Sequence, residues 1–418
     1  MYDDIKSIPS KVNLEQFDVS TFAKDKIRDL FRTGKVPTAD LMADEIILRA
    51  IKLGATDIHF EPTDTELRVR CGTEGVLKKL VSLPKEISEN LASVLKTKGG
   101  LNAFEKKKPQ EGRFSLNIGS HQFDLRISIV PIMSGERIAL RILEKTAKVA
   151  NLEELGFSVE NLEKVKKILR HPNGLFIVTG PSGSGKSTTI YAAVNDIQTI
   201  EKNIITVENP VEYKLDFASQ VQTSSDKSFT FVDALRAILR QNPNVIMLGE
   251  IRDAETGIVA AEAALTGNLV LSTILADNAI GAIFRLISLG VPNYWIASTL
   301  IGVVYQQLAR RICDSCKEEY QPSNPEELTF ANMLAGQAKF YHGKGCDKCD
   351  NSGYKGRIAI HEVLTINDHI RDLIYQNASM LKIKEAAREF GFENIFQDGI
   401  NKVKAGITTI SEFYRVLG

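Results

Sequence analysis

The chain has 418 residues, 25% charged and 43% hydrophobic, which is globular composition with length for two to four domains. Lys+Arg and Asp+Glu both number 52, so formal net charge is zero and a global basic field for nucleic acid is excluded, though a local basic patch is not. No apolar run approaches the roughly 20 residues of a membrane span, and the Met-Tyr-Asp-Asp-Ile-Lys start lacks an apolar signal core, so a cytosolic protein attached to membrane only through a partner is expected.

Residues 1–36 form a polar lead segment with a short helix expected at Thr21–Arg32. An α/β domain is expected over 37–145. Leu41, Ile46, Ile47, Ala50 and Ile51 recur at helical spacing, and Gly54 is the stop. Asp57–Pro62 and Glu66–Cys71 read as short strands, and Ile87–Lys98 as a second helix. Phe123, Leu125, Ile127 and Ile129 alternate with polar residues, as do Ile138, Leu140 and Ile142, so two half-buried strands follow. Arg113 and Arg126 stand on polar faces, and two readings are open for them. Either they are solvated, or they clamp charge on a nucleotide held by a neighbouring domain or subunit. His59 reads as a packed, hydrogen-bonded residue, and Cys71 as packing within a strand.

Residues 146–305 alternate strands and helices. After a charged helix at Leu152–Arg170, the strand Leu175–Val178 runs into Gly-Pro-Ser-Gly-Ser-Gly-Lys-Ser-Thr. Gly180, Gly185, Lys186 and Ser187 fill the pattern G-x-x-x-x-G-K-[ST], with Pro181, Ser182, Gly183, Ser184 and Thr188 completing the loop. Such a loop wraps backbone N–H groups around a triphosphate. Lys186 reaches the β- and γ-phosphates of ATP, Ser187 ligates Mg²⁺, and the helix after it points its positive end at the phosphates. Strands at Ile204–Val207, Val245–Leu248 and Leu269–Ile274, with helices at Thr230–Gln241 and Ala254–Ala264, imply a mostly parallel sheet. Glu208 and Glu250 each follow a strand's carboxyl end, where nucleotides bind, and either suits an attacking water or the metal's hydration shell. Arg236 and Arg240 lie one turn apart. They either pair with acids of a neighbouring helix or reach a γ-phosphate.

Residues 306–360 carry Cys313, Cys316, Cys346 and Cys349 in a C-x₂-C-x₂₉-C-x₂-C pattern. Each pair grips one side of a tetrahedral ion, so a structural Zn²⁺ module clipping a long loop is expected. Two matched pairs argue against a redox dithiol. Arg310 and Arg311 raise nucleic-acid binding, but Asp314, Glu318, Glu319, Asp347 and Asp350 oppose it. Residues 361–418 read as a helical tail, with helices at Met380–Phe390 and Ile395–Ala405 and a Thr409…Glu412 capping box opening the last.

In motif order the chain resembles the secretion ATPases of type II secretion and type IV pilus assembly. The resemblance rests on Gly54–Pro62, Lys108–Arg113, the phosphate loop, Thr206–Glu212, Leu239–Pro243, Gly249–Thr256, Leu265–Gly267, Gly356-Arg357 and His361-Glu362. It implies a RecA-like P-loop NTPase domain preceded by a PAS-like α/β domain, a tetracysteine zinc module of the kind assembly and secretion motors carry, and a C-terminal helical subdomain. It also implies a homo-hexameric Mg²⁺-dependent ATPase at the inner membrane. This would work through a platform protein on pilin-like substrates; it is the neutral charge that leads us to expect no direct nucleic-acid contact. Glu208 matches the family's catalytic acid and Glu250 its Walker-B glutamate. Arg113 and Arg126 match arginines that approach the nucleotide, and Arg236 and Arg240 further arginines near the phosphates. Three departures stand out: Asn209 replaces an Asp, Asn268 and Leu275 replace two histidines, and the head before the PAS-like domain is short. The absent histidines motivate the alternative of a nucleotide-gated assembly factor with weak hydrolysis. A DNA-uptake motor component is the other alternative.

Overall fold

The structure, a computed structural model, describes residues 38–145, 149–223, 229–334 and 338–418. The lead segment 1–36, with its expected helix at Thr21–Arg32, lies outside them. The chain divides into two compact units. One runs to Lys148 and takes in Glu212–Lys214, and the other comprises Val149–Val211 and Leu215–Gly418.

In the first unit, Thr38 caps helix α1 (Ala39–Lys52), and Met42, Ala43, Ile46, Ile47 and Ala50 make its buried stripe. Strands β1 (Asp57–Pro62), β2 (Glu66–Thr73) and β3 (Val76–Pro84) precede helix α2 (Ser88–Lys98). Strands β4 (Gln110–Ile118), β5 (His121–Ile132) and β6 (Gly135–Glu144) complete an antiparallel sheet in the order β3-β2-β1-β6-β5-β4. Strand alternation sends Ile58, Phe60, Leu125, Ile127, Ile129, Ile138 and Leu140 into one core with α1 and α2. The opposite parity carries Arg113, Arg126 and Arg141, which are register partners across β4, β5 and β6.

The second unit opens differently from the expected Leu152–Arg170 helix. A 3-10 turn at Leu152–Leu155 ends at Gly156, whose φ is +83°, and Ser158 then caps helix α3 (Val159–Leu169) by accepting from Asn161 N at 3.1 Å. Strand β7 (Gly174–Thr179), helix α4 (Lys186–Ile197), β8 (Ile204–Glu208), β9 (Ser219–Gln222), helix α5 (Phe231–Ile238), β10 (Val245–Leu248), helix α6 (Ala254–Leu265) and β11 (Leu269–Ile274) follow. Helices α7 (Ala279–Leu289) and α8 (Asn293–Thr299) lead into the long strands β12 (Leu300–Ile312) and β15 (Tyr354–Thr365), with β13 (Lys317–Tyr320), helix α9 (Pro325–Met333) and β14 (Phe340–Gly343) between them. The large sheet has the order β15-β12-β7-β11-β10-β8-β9, parallel throughout except for the β12–β15 pair. That matches the expected mostly parallel sheet. Neither β12 nor β15 was read as a strand from the sequence. The cysteine segment is an excursion between them. Helices α10 (Asp368–Tyr375), α11 (Met380–Glu389), α12 (Ile395–Lys404) and α13 (Ile410–Leu417) form the helical tail.

At the last helix the expected capping box is half made. Thr409 Oγ1 accepts from Glu412 N at 3.1 Å, but the Glu412 carboxylate turns to Arg310 and Arg415 instead of Thr409 N. Three guanidinium bonds and the Arg310 amide reward it more than one cap donor would.

Candidate active site and metal centre

The phosphate loop bridges β7 and α4, as its pattern requires. Gly180 has φ +147°, and a Cβ there would lie 2.3 Å from the Gln306 carbonyl oxygen, so only glycine fits. Lys186 is the first residue of α4, and its Nζ donates to the carbonyls of Gly180 and Pro181 at 2.9 and 2.8 Å. Ser187 and Thr188 follow within the first turn, where helix N–H groups point at an anion. Pro181, Ser182 and Gly183 are exposed, whereas Ser184 is buried and its Oγ has no hydrogen-bond partner among the described residues. This concave, donor-rich loop fits a triphosphate.

Gln306, on β12, holds this loop from outside it, and sequence reasoning missed it. Its Nε2 donates to Ser184 O at 2.7 Å and its Oε1 accepts from Thr189 Oγ1 at 2.7 Å. Both contacts span more than a hundred residues, so no local pattern announces them.

The two strand-end acids differ. Glu208 is 3% exposed, and Tyr191 Oη, Thr206 Oγ1 and Gln220 Nε2 all donate to its carboxylate. Glu250 is half-buried beyond β10 and is paired with Arg252, whose guanidinium that hydrogen bond holds above its ordinary pKa. Backbone and hydroxyl bonds square off this edge of the sheet. Gly249 N donates to Val207 O at 2.9 Å, and Thr273 Oγ1 to Gly249 O at 2.7 Å.

Arg236 pairs with Glu255 of α6 at 3.1 Å, both side chains more than half exposed, and Arg240, on the 3-10 turn Leu239–Gln241 that follows α5, donates to Arg236 O at 3.0 Å. Only the Arg236 contact is with an acid of a neighbouring helix. Arg113 is exposed; Arg126 is half-buried, with Nη2 buried and unpartnered among the described residues, and burial lowers its pKa. Among the described residues, the buried Nδ1 of His59 has no hydrogen-bond partner, so its expected hydrogen bond is not made there at that atom.

The two absent histidines separate in space. Asn268 precedes β11 at its amino end, where its Nδ2 donates to Ala263 O at 2.8 Å and to Thr266 Oγ1 at 3.3 Å, and its carbonyl accepts from Gly174 N at 3.1 Å. That end lies a strand's length from the loop, since Leu269 pairs Gly174 and Ile274 pairs Thr179. Leu275, 55% exposed, follows β11 at the carboxyl end beside the loop. His361 and Glu362 are buried on β15. His361 stacks on Phe157 at 3.7 Å, and burial holds its pKa well below the usual value. Glu362 accepts from the first amides of α7 and α12.

The four cysteines converge. All four sulfurs lie within 4.8 Å of one another, with Cys313–Cys346, Cys316–Cys349 and Cys346–Cys349 at 3.9, 3.8 and 3.7 Å. A tetrahedron with metal–sulfur bonds of ~2.3 Å places its sulfurs about 3.8 Å apart, so the cluster fits a closed structural ion. The backbones behind it touch: a Cβ on Gly343 would lie 2.0 Å from Gly353 O. Nearby, Arg310 stacks on Tyr354 and bonds Glu412, and Arg311 pairs with Asp314, which engages the two arginines that had suggested nucleic acid.

The sequence profile of a family described as "Type II/IV secretion system protein" matches residues 32–415. The chain is 40% identical over 410 residues to the type IV pilus assembly ATPase PilB of Thermus thermophilus, covering 97% of this chain and 44% of that protein. It is 40% identical over 367 residues to the type II secretion system ATPase E of Vibrio cholerae, covering 88% and 73%. It thus spans less than half the length of the first relative and about three quarters of the second. Among solved structures, the pilus retraction motor PilT with bound ADP aligns at TM-score 0.59 and 27% identity, over 89% of this chain and 95% of that one. The ATPase DotB of Legionella pneumophila aligns at 0.65 and 20% identity, over 90% and 95%, and shares the fold.

Proposed function

Since the chain belongs to the type II/IV secretion system protein family, we propose that it is a Mg²⁺-dependent ATPase powering assembly of a type IV pilus or a type II secretion pseudopilus. The observation that carries this is the phosphate loop between β7 and α4, backed by two acids at neighbouring strand ends. Lys186 and the loop amides hold the β- and γ-phosphates. Glu208 polarises a water, whose oxygen bonds to the γ-phosphorus while the bond to the bridging oxygen breaks. The water's proton passes to the acid, and ADP and phosphate are released. Ser187 would hold a Mg²⁺ ion, with Glu250 toward its hydration shell, and the bound ion would supply charge neutralisation at the phosphates.

We assign Arg113 and Arg126 to charge stabilisation of the transferred phosphoryl group. Arg236 and Arg240 keep a lesser claim, given their contacts within the second unit. The tetracysteine cluster takes Zn²⁺. The working form is a homo-hexamer docked at the inner membrane through a platform protein, with pilin-like substrates reached indirectly. No helix among the described residues is long and apolar enough to cross a membrane. Domain limits near 37–145, 146–305, 306–360 and 361–418 remain our working division.

Phosphate release by the assembled protein, measured beside Lys186→Ala, tests the assignment. Turnover no faster than in that variant would sink it. A second reading, nucleotide binding with little turnover, is favoured by Leu275 at the catalytic edge. Tight ATP binding without phosphate release, even with a platform partner present, would select it.

A further inference from the structure

Tyr191 is not part of the phosphate-loop pattern, and the mechanism above gives it no task. It is 1% exposed on α4, five positions beyond Lys186. Its hydroxyl donates to Glu208 Oε2 at the end of β8. On the other carboxylate oxygen, Oε1, Thr206 Oγ1 and Gln220 Nε2 donate at 2.6 and 3.2 Å. The main chain there is pinned as well, because the Glu208 carbonyl accepts from Thr223 N at 2.9 Å and from Thr223 Oγ1 at 3.3 Å.

Three elements therefore donate to one carboxylate. Thr206 and Gln220 are register partners on β8 and β9, so they fix it relative to its own sheet edge. Of the three, Tyr191 alone stands on the helix that begins at the loop's lysine. β8 lies three strands from β7 in the sheet, too far for its acid to sense the loop through β-pairing alone. The phenol spans that gap.

We propose that Tyr191 is a positioning residue for ATP hydrolysis: its hydroxyl ties Glu208 to the phosphate-loop helix, so the acid's placement follows the helix that binds the phosphates. This rests on reading Glu208 as the acid that acts on the water.

Tyr191→Phe keeps the ring and removes the hydroxyl. In the assembled protein kcat falls roughly 10- to 100-fold, part of what an acid of this kind contributes. KM and the ATP Kd stay within about two-fold, because the loop contacts are untouched. Glu208→Gln and the double variant complete the cycle. If Tyr191 acts through Glu208, the double variant turns over no more slowly than Glu208→Gln alone. A wild-type rate in Glu208→Gln sinks the reading of the acid, and this proposal with it. An inactive Glu208→Gln beside a Tyr191→Phe of unchanged kcat overturns the positioning role alone. So do losses that multiply in the double variant, and so does a Tyr191→Phe that loses nucleotide binding together with turnover.

Discussion

Asn268 and Leu275 replace the two histidines expected of the family, yet they occupy opposite ends of one strand. Asn268 closes the turn between α6 and β11 with its amide, and Ala263 O would keep Thr266 Oγ1 and Asn268 N as donors, so Asn268→Ala should cost about 0.5–1.5 kcal/mol, the net worth of one hydrogen bond. Its ATP affinity should not change, and denaturant melts with nucleotide titrations would check both. Leu275→His should do the reverse, altering kcat with little change in the melt. Glu412 makes a pH prediction. Burial pushes its carboxyl up, but hydrogen bonds from Arg415 and Arg310 prevail and hold it at about 2 against an ordinary 4.5. A depressed carboxylate contributes stability above its unfolded pKa and loses it as pH falls toward the folded one. Stability should therefore drop between about pH 4.5 and 2, by on the order of 3 kcal/mol at 1.36 kcal/mol per unit. Glu412→Gln should flatten that limb of an acid-unfolding curve. At this scale the loop was legible because its residues are consecutive. The partners of Glu208 and the role of Gln306 were not, because side-chain contacts across the sheet leave no local pattern.

Elements were legible where one face is buried and a cap is present. The strands at Asp57–Pro62, Val245–Leu248 and Leu269–Ile274 were read to the residue, and Thr230 caps α5 as expected, accepting from Asp233 N at 3.2 Å. Thr230→Ala should cost about 1 kcal/mol. The Leu152–Arg170 helix was overextended because charge periodicity continues through Gly156, whose left-handed backbone ends the first turn. Strand β12 was missed because its first half is buried on both faces, which removes the alternation a strand is recognised by. Its mate β15 is more than forty residues away in sequence. The cysteines close the excursion between these strands, so on the proposed zinc assignment a chelator should lower the melting temperature. It should also speed amide exchange in β13 and β14 before the parallel strands respond. Exchange that rises uniformly would speak against a local clip.

For the molecule as a whole, composition excluded little and motif order decided much. A neutral chain whose basic pair at Arg310 and Arg311 is engaged by acids should show no salt-sensitive DNA binding in a titration at low ionic strength. ATP at a hundred times its Kd should raise stability by about 2.7 kcal/mol, and Lys186→Ala should abolish the rise. β12 carries Gln306 against the phosphate loop, and Cys313 directly follows its last residue. If both proposed ligands bind and this strand couples them, linkage makes the coupling reciprocal: whatever factor an ion adds to nucleotide grip, the nucleotide must return to ion grip. Nucleotide-saturated protein should then surrender its metal to a competing chelator less readily than free protein, by that same factor. Equal retention in both states would mean that the strand transmits nothing.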